Sequence, residues 1–94
     1  MDEHPGIGFV DGPAGRRAVL MGTGLDAWEV IATVKLGGSA ESVARYLELP
    51  VAVVRAAVRY YASFPREIDD RLERQAAVAQ REEQAAERER AILP

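Results

Sequence analysis

The stretch SAESVARYLELPVAVVRAAVR, residues 39–59, decides the architecture. In its first half Val43 and Leu47 stand four residues apart, so both fall on one face of a short helix. Leu47-Glu48-Leu49-Pro50 then supplies a tight turn, and Pro50 suits the start of a second helix, where an N–H would be unsatisfied anyway. In that helix Val54, Ala57, Val58 and Tyr61 follow the i, i+3, i+4, i+7 rule for a single buried stripe. Two short helices whose apolar faces meet across a short turn form a helix-turn-helix. A frame for such a pair, begun at Ala40, places Val43, Leu47, Leu49, Val54 and Ala57 inward. It sets Ala44 at the close contact, where only a small side chain fits. Glu48 occupies the turn position that often carries glycine.

The same frame turns Val51, Ala52, Arg55, Ala56 and Arg59 outward on the second helix. Arginine reaches phosphates and base edges, so Arg45, Val51, Ala52, Arg55 and Arg59 are the candidate DNA-binding residues.

Upstream, residues 1–5 are polar and expected to be loose. Residues 7–11 and 17–21 carry Phe9, Val10, Val19 and Leu20, which favour strands, around Asp11-Gly12-Pro13-Ala14-Gly15, which favours a turn. They predict a small hairpin with Arg16 and Arg17 at its turn end, stable only if packed on something else. Gly22-Thr23-Gly24 breaks the chain before a helix. Asp26 is placed to cap that helix, with Glu29 three residues on to complete a capping box. Ala27, Val30, Ile31 and Val34 form its apolar side, widened by Trp28 and Ala32, and Gly37-Gly38 ends it. Ser39 caps the next helix, with Glu41 in its first turn.

The second helix of the pair runs to about Ala62 before Ser63-Phe64-Pro65 interrupts it, and a last helix starts at Pro65 or Arg66. From Gln75 the chain turns to alanine, glutamine, glutamate and arginine, with Val78, Ile92 and Leu93 as its sizeable apolar residues. Propensity favours helix, and Glu67/Arg71 and Asp70/Arg74 have the spacing of supporting ion pairs. Ile68, Leu72, Ala76, Ala79 and Ala86 make only a thin stripe. The expected division is therefore a domain over residues 1–74 and a helical or partly disordered tail over residues 75–94. The expected fold is mainly α, with a small N-terminal β-hairpin, a helix-turn-helix-like domain and an extended C-terminal helix.

A chain of 94 residues, 48% hydrophobic but rich in alanine, has a modest core, so a partner or a second copy of itself is expected. It has no cysteine, which removes disulfides, thiolate metal sites and thiol nucleophiles. No apolar run is long enough for a membrane span and the start is no signal peptide, so a cytoplasmic, membrane-free protein is expected. The net charge of −3 argues against non-specific coating of nucleic acid but leaves room for a local basic patch.

Little here resembles catalytic chemistry. His4 is the one histidine, lies in the polar start and reads as solvated. Asp69 and Asp70 point about 100° apart on a helix, so they read as a solvated face, not a carboxylate pair. Gly22-Thr23-Gly24 lacks the spacing and lysine of a phosphate loop and reads as a backbone break. No Ser/His/Asp set and no cofactor motif can be assembled, so no enzymatic activity and no cofactor are expected. Trp28 and Tyr61 read as core, whereas Tyr60 falls off the inward stripe and reads as a subunit contact.

The order of these pieces resembles the bacterial domain-of-unknown-function family 433, members of which are described as VapB-type antitoxins with a helix-turn-helix-like domain. The resemblance covers about residues 7–74. It is carried by Gly15-Arg16-Arg17 followed by Gly22-Thr23-Gly24-Leu25-Asp26, then Trp28-Glu29-Val30-Ile31, and by Tyr60-Tyr61-Ala62 followed by Pro65-Arg66-Glu67-Ile68-Asp69. It implies a small antitoxin that binds and silences a PIN-like ribonuclease toxin, and many such antitoxins also bind their own promoter. Because such nucleases have acidic metal-binding sites, the resemblance makes Ile68, Leu72, Arg71, Arg74, Arg81 and Arg88, together with Arg90, the candidate toxin contacts. Two other readings compete with it. One is a stand-alone dimeric transcriptional regulator, and the other is a purely structural oligomerising subunit.

Overall fold

Asp26 is where the sheet hands the chain to the helices. In a computed structural model, which describes residues 3–13 and 15–93, strands β1 (Ile7–Gly12) and β2 (Gly15–Leu20) pair antiparallel, with Ile7 opposite Leu20 and Gly12 opposite Gly15. The hairpin expected from Asp-Gly-Pro is therefore present, and β2 begins two residues before the expected 17. Ala14 lies outside the described residues. A third strand, β3 (Leu25–Asp26), adds to β2 with Leu25 opposite Leu20, so the sheet is three-stranded where a two-stranded hairpin was expected. Gly22 (φ +81°) and Gly24 (φ +75°) make the reversal possible, because an L side chain rarely adopts those angles. Thr23 pins the turn, its hydroxyl donating to the Leu20 carbonyl at 2.7 Å and accepting from the Leu25 N–H at 3.0 Å.

Helix α1 (Ala27–Lys35) follows at once, and its capping box forms as expected, with the Asp26 N–H donating to Glu29 Oε2 at 2.8 Å. The Asp26 carboxylate also accepts from Arg17 Nε at 3.0 Å and from Trp28 Nε1 at 3.2 Å. One half-buried carboxylate thus joins β2, β3 and the first turn of α1. Asp26→Ala is expected to cost about 2–3 kcal/mol, combining a lost cap with a lost charge-assisted bond. Chemical denaturation checks this; a loss under about 0.5 kcal/mol would show the junction to be held by packing alone.

Ser39 caps α2 (Ala40–Leu47), its Oγ accepting from the Ser42 N–H at 3.1 Å. The helix closes through Glu48 in the left-handed region (φ +57°, ψ +47°), with Leu49 N–H donating to the Ala44 carbonyl at 2.9 Å and Glu48 N–H to the Arg45 carbonyl at 3.3 Å. Those two bonds are the Schellman arrangement usually made by glycine. The turn therefore keeps its geometry despite Glu48, at a conformational cost of about 1 kcal/mol. Helix α3 (Val51–Ser63) crosses back, and α4 (Pro65–Ile92) starts with proline in its first turn.

The core gathers Ile7, Leu20, Val30, Ile31, Val43, Val54, Ala57, Tyr60 and Ile68 from every layer. Val43, Ala44, Val54 and Ala57 are buried, and Leu47 and Leu49 are half-buried against them, as the frame requires. Two assignments on α3 change. Tyr60, expected off the inward stripe, is 1% exposed, whereas Val58, expected on it, is 39% exposed. The helix packs against α1, α2, α4 and β1 at once, which shifts its buried face toward Val54, Ala57 and Tyr60.

His4 also departs from its expected place. Expected in solvent, it is buried edge-on to the rings of Tyr60 (5.4 Å) and Phe64 (5.8 Å). Met1 and Asp2 lie outside the described residues. No helix among the described residues is long and apolar enough to cross a membrane.

Candidate nucleic-acid and partner surfaces

On the helix-turn-helix, Arg45, Val51, Ala52, Arg55 and Arg59 all lie on exposed positions. Ala56 does not: it is 7% exposed. The outward face of α3 is therefore narrower than the frame implies. Arg55 is also engaged, donating from Nη2 to Glu41 Oε1 at 2.6 Å across the turn. The Glu41 carboxyl is held below its ordinary pKa by its own backbone N–H and by Arg55. A DNA phosphate would have to compete with Glu41 for Arg55, whereas Arg45 and Arg59 form no ion pair among the described residues.

The other surface belongs to α4, whose two halves differ. Its first three turns dock on the domain. Ile68 is 3% exposed in the core, and Leu72 packs half-buried at the edge. Asp69 Oδ1 accepts from Lys35 Nζ at 2.9 Å and from the Tyr61 hydroxyl at 2.7 Å. The Tyr61 hydroxyl and Asp69 hold the Lys35 ammonium above its ordinary pKa, and Lys35 and Tyr61 hold the Asp69 carboxyl below its own. Asp69 is thus a docking residue, not the free solvated face expected, while Asp70 is exposed.

Beyond Gln75 the helix runs on without interruption to Ile92, and residues 76–92 are exposed apart from the half-buried Ala86. This is about 25 Å of helix in a molecule 54 Å long. Arg81 and Arg88 lie in it, exposed, as do Arg90, Val78 (40% exposed) and Ile92 (76%). Among the described residues none of its arginines or glutamates forms an ion pair within this chain.

The ion pairs expected at Glu67/Arg71 and Asp70/Arg74 do not form either. Glu67 Oε2 instead accepts from the buried Tyr60 hydroxyl at 2.6 Å. Arg71 is half-buried, with its Nε lacking a hydrogen-bond partner, and Arg74 is exposed. Both line a small cleft with Arg16, Arg17, Ala18, Trp28, Glu67 and Ile68. Arg16 and Arg17 lie at the hairpin's turn end, and nothing in the local sequence signals their approach to residues some fifty positions away.

Among the described residues, no group of three or more histidine, aspartate or glutamate side chains is placed to hold a metal ion. The chain matches no known family model, no curated protein and no solved structure.

Proposed function

We propose that this chain is a non-enzymatic antitoxin that holds a PIN-like ribonuclease toxin with the outer half of α4. The observation that carries the reading is the length of regular helix over residues 76–92, which the described residues leave exposed apart from Ala86. A helix polar nearly all round gains little from its own domain, and such a segment is suited to lying in a partner's groove. Val78 and Ile92 supply its apolar contacts, and Arg81, Arg88 and Arg90 supply cations for an acidic nuclease site. The resemblance of residues 7–74 to the antitoxin family supports the same reading. Ile68 and Leu72 anchor α4 to its own domain in this arrangement, so toxin contact falls to the residues beyond them.

Promoter binding through α3 is the second half of the proposal and rests on Arg45 and Arg59, with Arg55 recruited only if Glu41 releases it. Self-association, suggested by the small core, has Leu36 (87% exposed) and Tyr46 (77% exposed) as available apolar surface.

The test is co-expression with the product of the adjacent gene, followed by purification and a ribonuclease assay. The full chain is expected to co-purify with the neighbour and suppress its nuclease, and deletion of residues 75–94 is expected to release active nuclease. A truncated chain that still silences the enzyme would remove the outer helix from the mechanism. Failure of the full chain to bind, with a neighbour inert towards RNA, would favour the stand-alone DNA regulator.

A further inference from the structure

The cleft between the hairpin end and α4 collects four arginines from two distant stretches of sequence. Arg16 and Arg17 come from β2, and Arg71 and Arg74 come from adjacent turns of α4, over a floor of Ala18, Ile68 and Trp28. Among the described residues only Arg17 of the four forms an ion pair, with Asp26. Arg16 stacks its guanidinium on Phe9 at 4.1 Å and, among the described residues, forms no ion pair. Arg71 carries a buried Nε with no hydrogen-bond partner, and Arg74 forms no ion pair.

Like charges drawn together in a partly desolvated space repel, and an orphaned buried N–H adds the cost of its lost hydration. Glu67 also lines the cleft, but one of its oxygens is taken by the Tyr60 hydroxyl. Of the side chains that line the cleft, four are arginines and one, Glu67, is a carboxylate, so the lining is net positive. The cleft is small and partly open to solvent, suited to one small polar group and not to a drug-sized molecule.

From this we infer that the cleft is an oxyanion site that takes a phosphate dianion, either inorganic phosphate or a terminal phosphate monoester. Such a group carries close to two negative charges at neutral pH and offers acceptor oxygens in several directions. Guanidinium forks approaching from β2 and α4 match that demand better than they match a planar, singly charged carboxylate. The inference does not depend on the toxin-binding reading, since it uses neither residues 76–92 nor the outward face of α3.

Trp28 is the one tryptophan and lines the cleft, so its fluorescence reports occupancy. The experiment titrates the full chain with inorganic phosphate at ionic strength held constant with chloride, and repeats it with acetate. A saturable change near millimolar phosphate is expected, weakened at least tenfold in both Arg71→Gln and Arg74→Gln. Arg74 is exposed and unpaired, so Arg74→Gln keeps the fold intact even if Arg71→Gln perturbs it, and far-ultraviolet circular dichroism checks both. Oligonucleotides with and without a 5′-phosphate distinguish the sources. Tighter binding of the phosphorylated strand than of free phosphate identifies a nucleic-acid end, and equal binding identifies free phosphate. Three results overturn the assignment: no saturable change, a change that survives both substitutions, or acetate binding as tightly as phosphate. The last would make the cleft a seat for a carboxylate of a partner protein.

Discussion

Tyr60→Ala is expected to remove a large share of the chain's folding stability, read as a much lower urea midpoint. The ring is 1% exposed, lies against His4, Phe9 and Phe64, and anchors α3 in the core. Truncating a buried aromatic to alanine costs about 3–5 kcal/mol, against a total of roughly 5–10 kcal/mol for a domain this small. The milder Tyr60→Phe separates packing from the hydroxyl. It removes one bond, to Glu67 Oε2, and Glu67 is exposed enough to turn to water, so the cost at neutral pH should be about 1 kcal/mol.

The same hydroxyl predicts an alkaline limit on stability. Burial first, and the Glu67 carboxylate second, push the Tyr60 pKa upward from its ordinary value. An unfolded tyrosine loses its proton near pH 10, whereas the folded one keeps it. The unfolded state therefore binds fewer protons above that pH, and stability falls as pH rises from about 10 towards the folded value. Tyr60→Phe should flatten this fall when urea midpoints are compared from pH 8 to 11. An equally steep fall in the variant would assign the alkaline limit to another group.

Much of this fold could be read from local chemistry. Ser39, Asp26 with Glu29, Pro65 and the paired glycines at residues 37–38 each act within a turn of their own position, so their consequences are visible in sequence. The inward set of the helix-turn-helix was legible for the same reason, since a fixed turn fixes which faces of α2 and α3 meet. What could not be read depended on a third element arriving from elsewhere. Strand β3 has two residues, too few to show any alternation, and exists because the turn at Gly22 and Gly24 returns the chain to β2. Tyr60 and His4 bury each other across 56 positions, and neither periodicity nor composition announces such a pairing. The arginine cleft has the same origin. Glu67 and Arg71 have the spacing of an ion pair, but a buried hydroxyl draws Glu67 away and leaves Arg71 facing Arg16 and Arg17.

Two truncations locate the border between what holds the domain and what is free to bind. A chain ending after Phe64 loses Ile68 from the core, the half-buried Leu72, the Asp69 contacts to Lys35 and Tyr61, and the Glu67 bond to Tyr60. Ile68 alone is a buried branched side chain whose removal leaves a cavity costing about 2–5 kcal/mol. With the other contacts gone as well, no cooperative thermal transition is expected. A chain ending after Arg74 keeps all of these and loses helix that is almost wholly exposed, so its melting temperature should stay within about 5 °C of the full chain's. Cooperative melting of the shorter chain would mean that α4 is an appendage along its whole length. Collapse of the longer one would mean that residues 75–92 stabilise the domain, and that a partner gripping them would strain the fold it binds. The expected pair of results instead makes one helix serve two ends. Its inner turns belong to the core by burial at Ile68, and its outer turns remain available because alanine and unpaired charge give the domain nothing to hold.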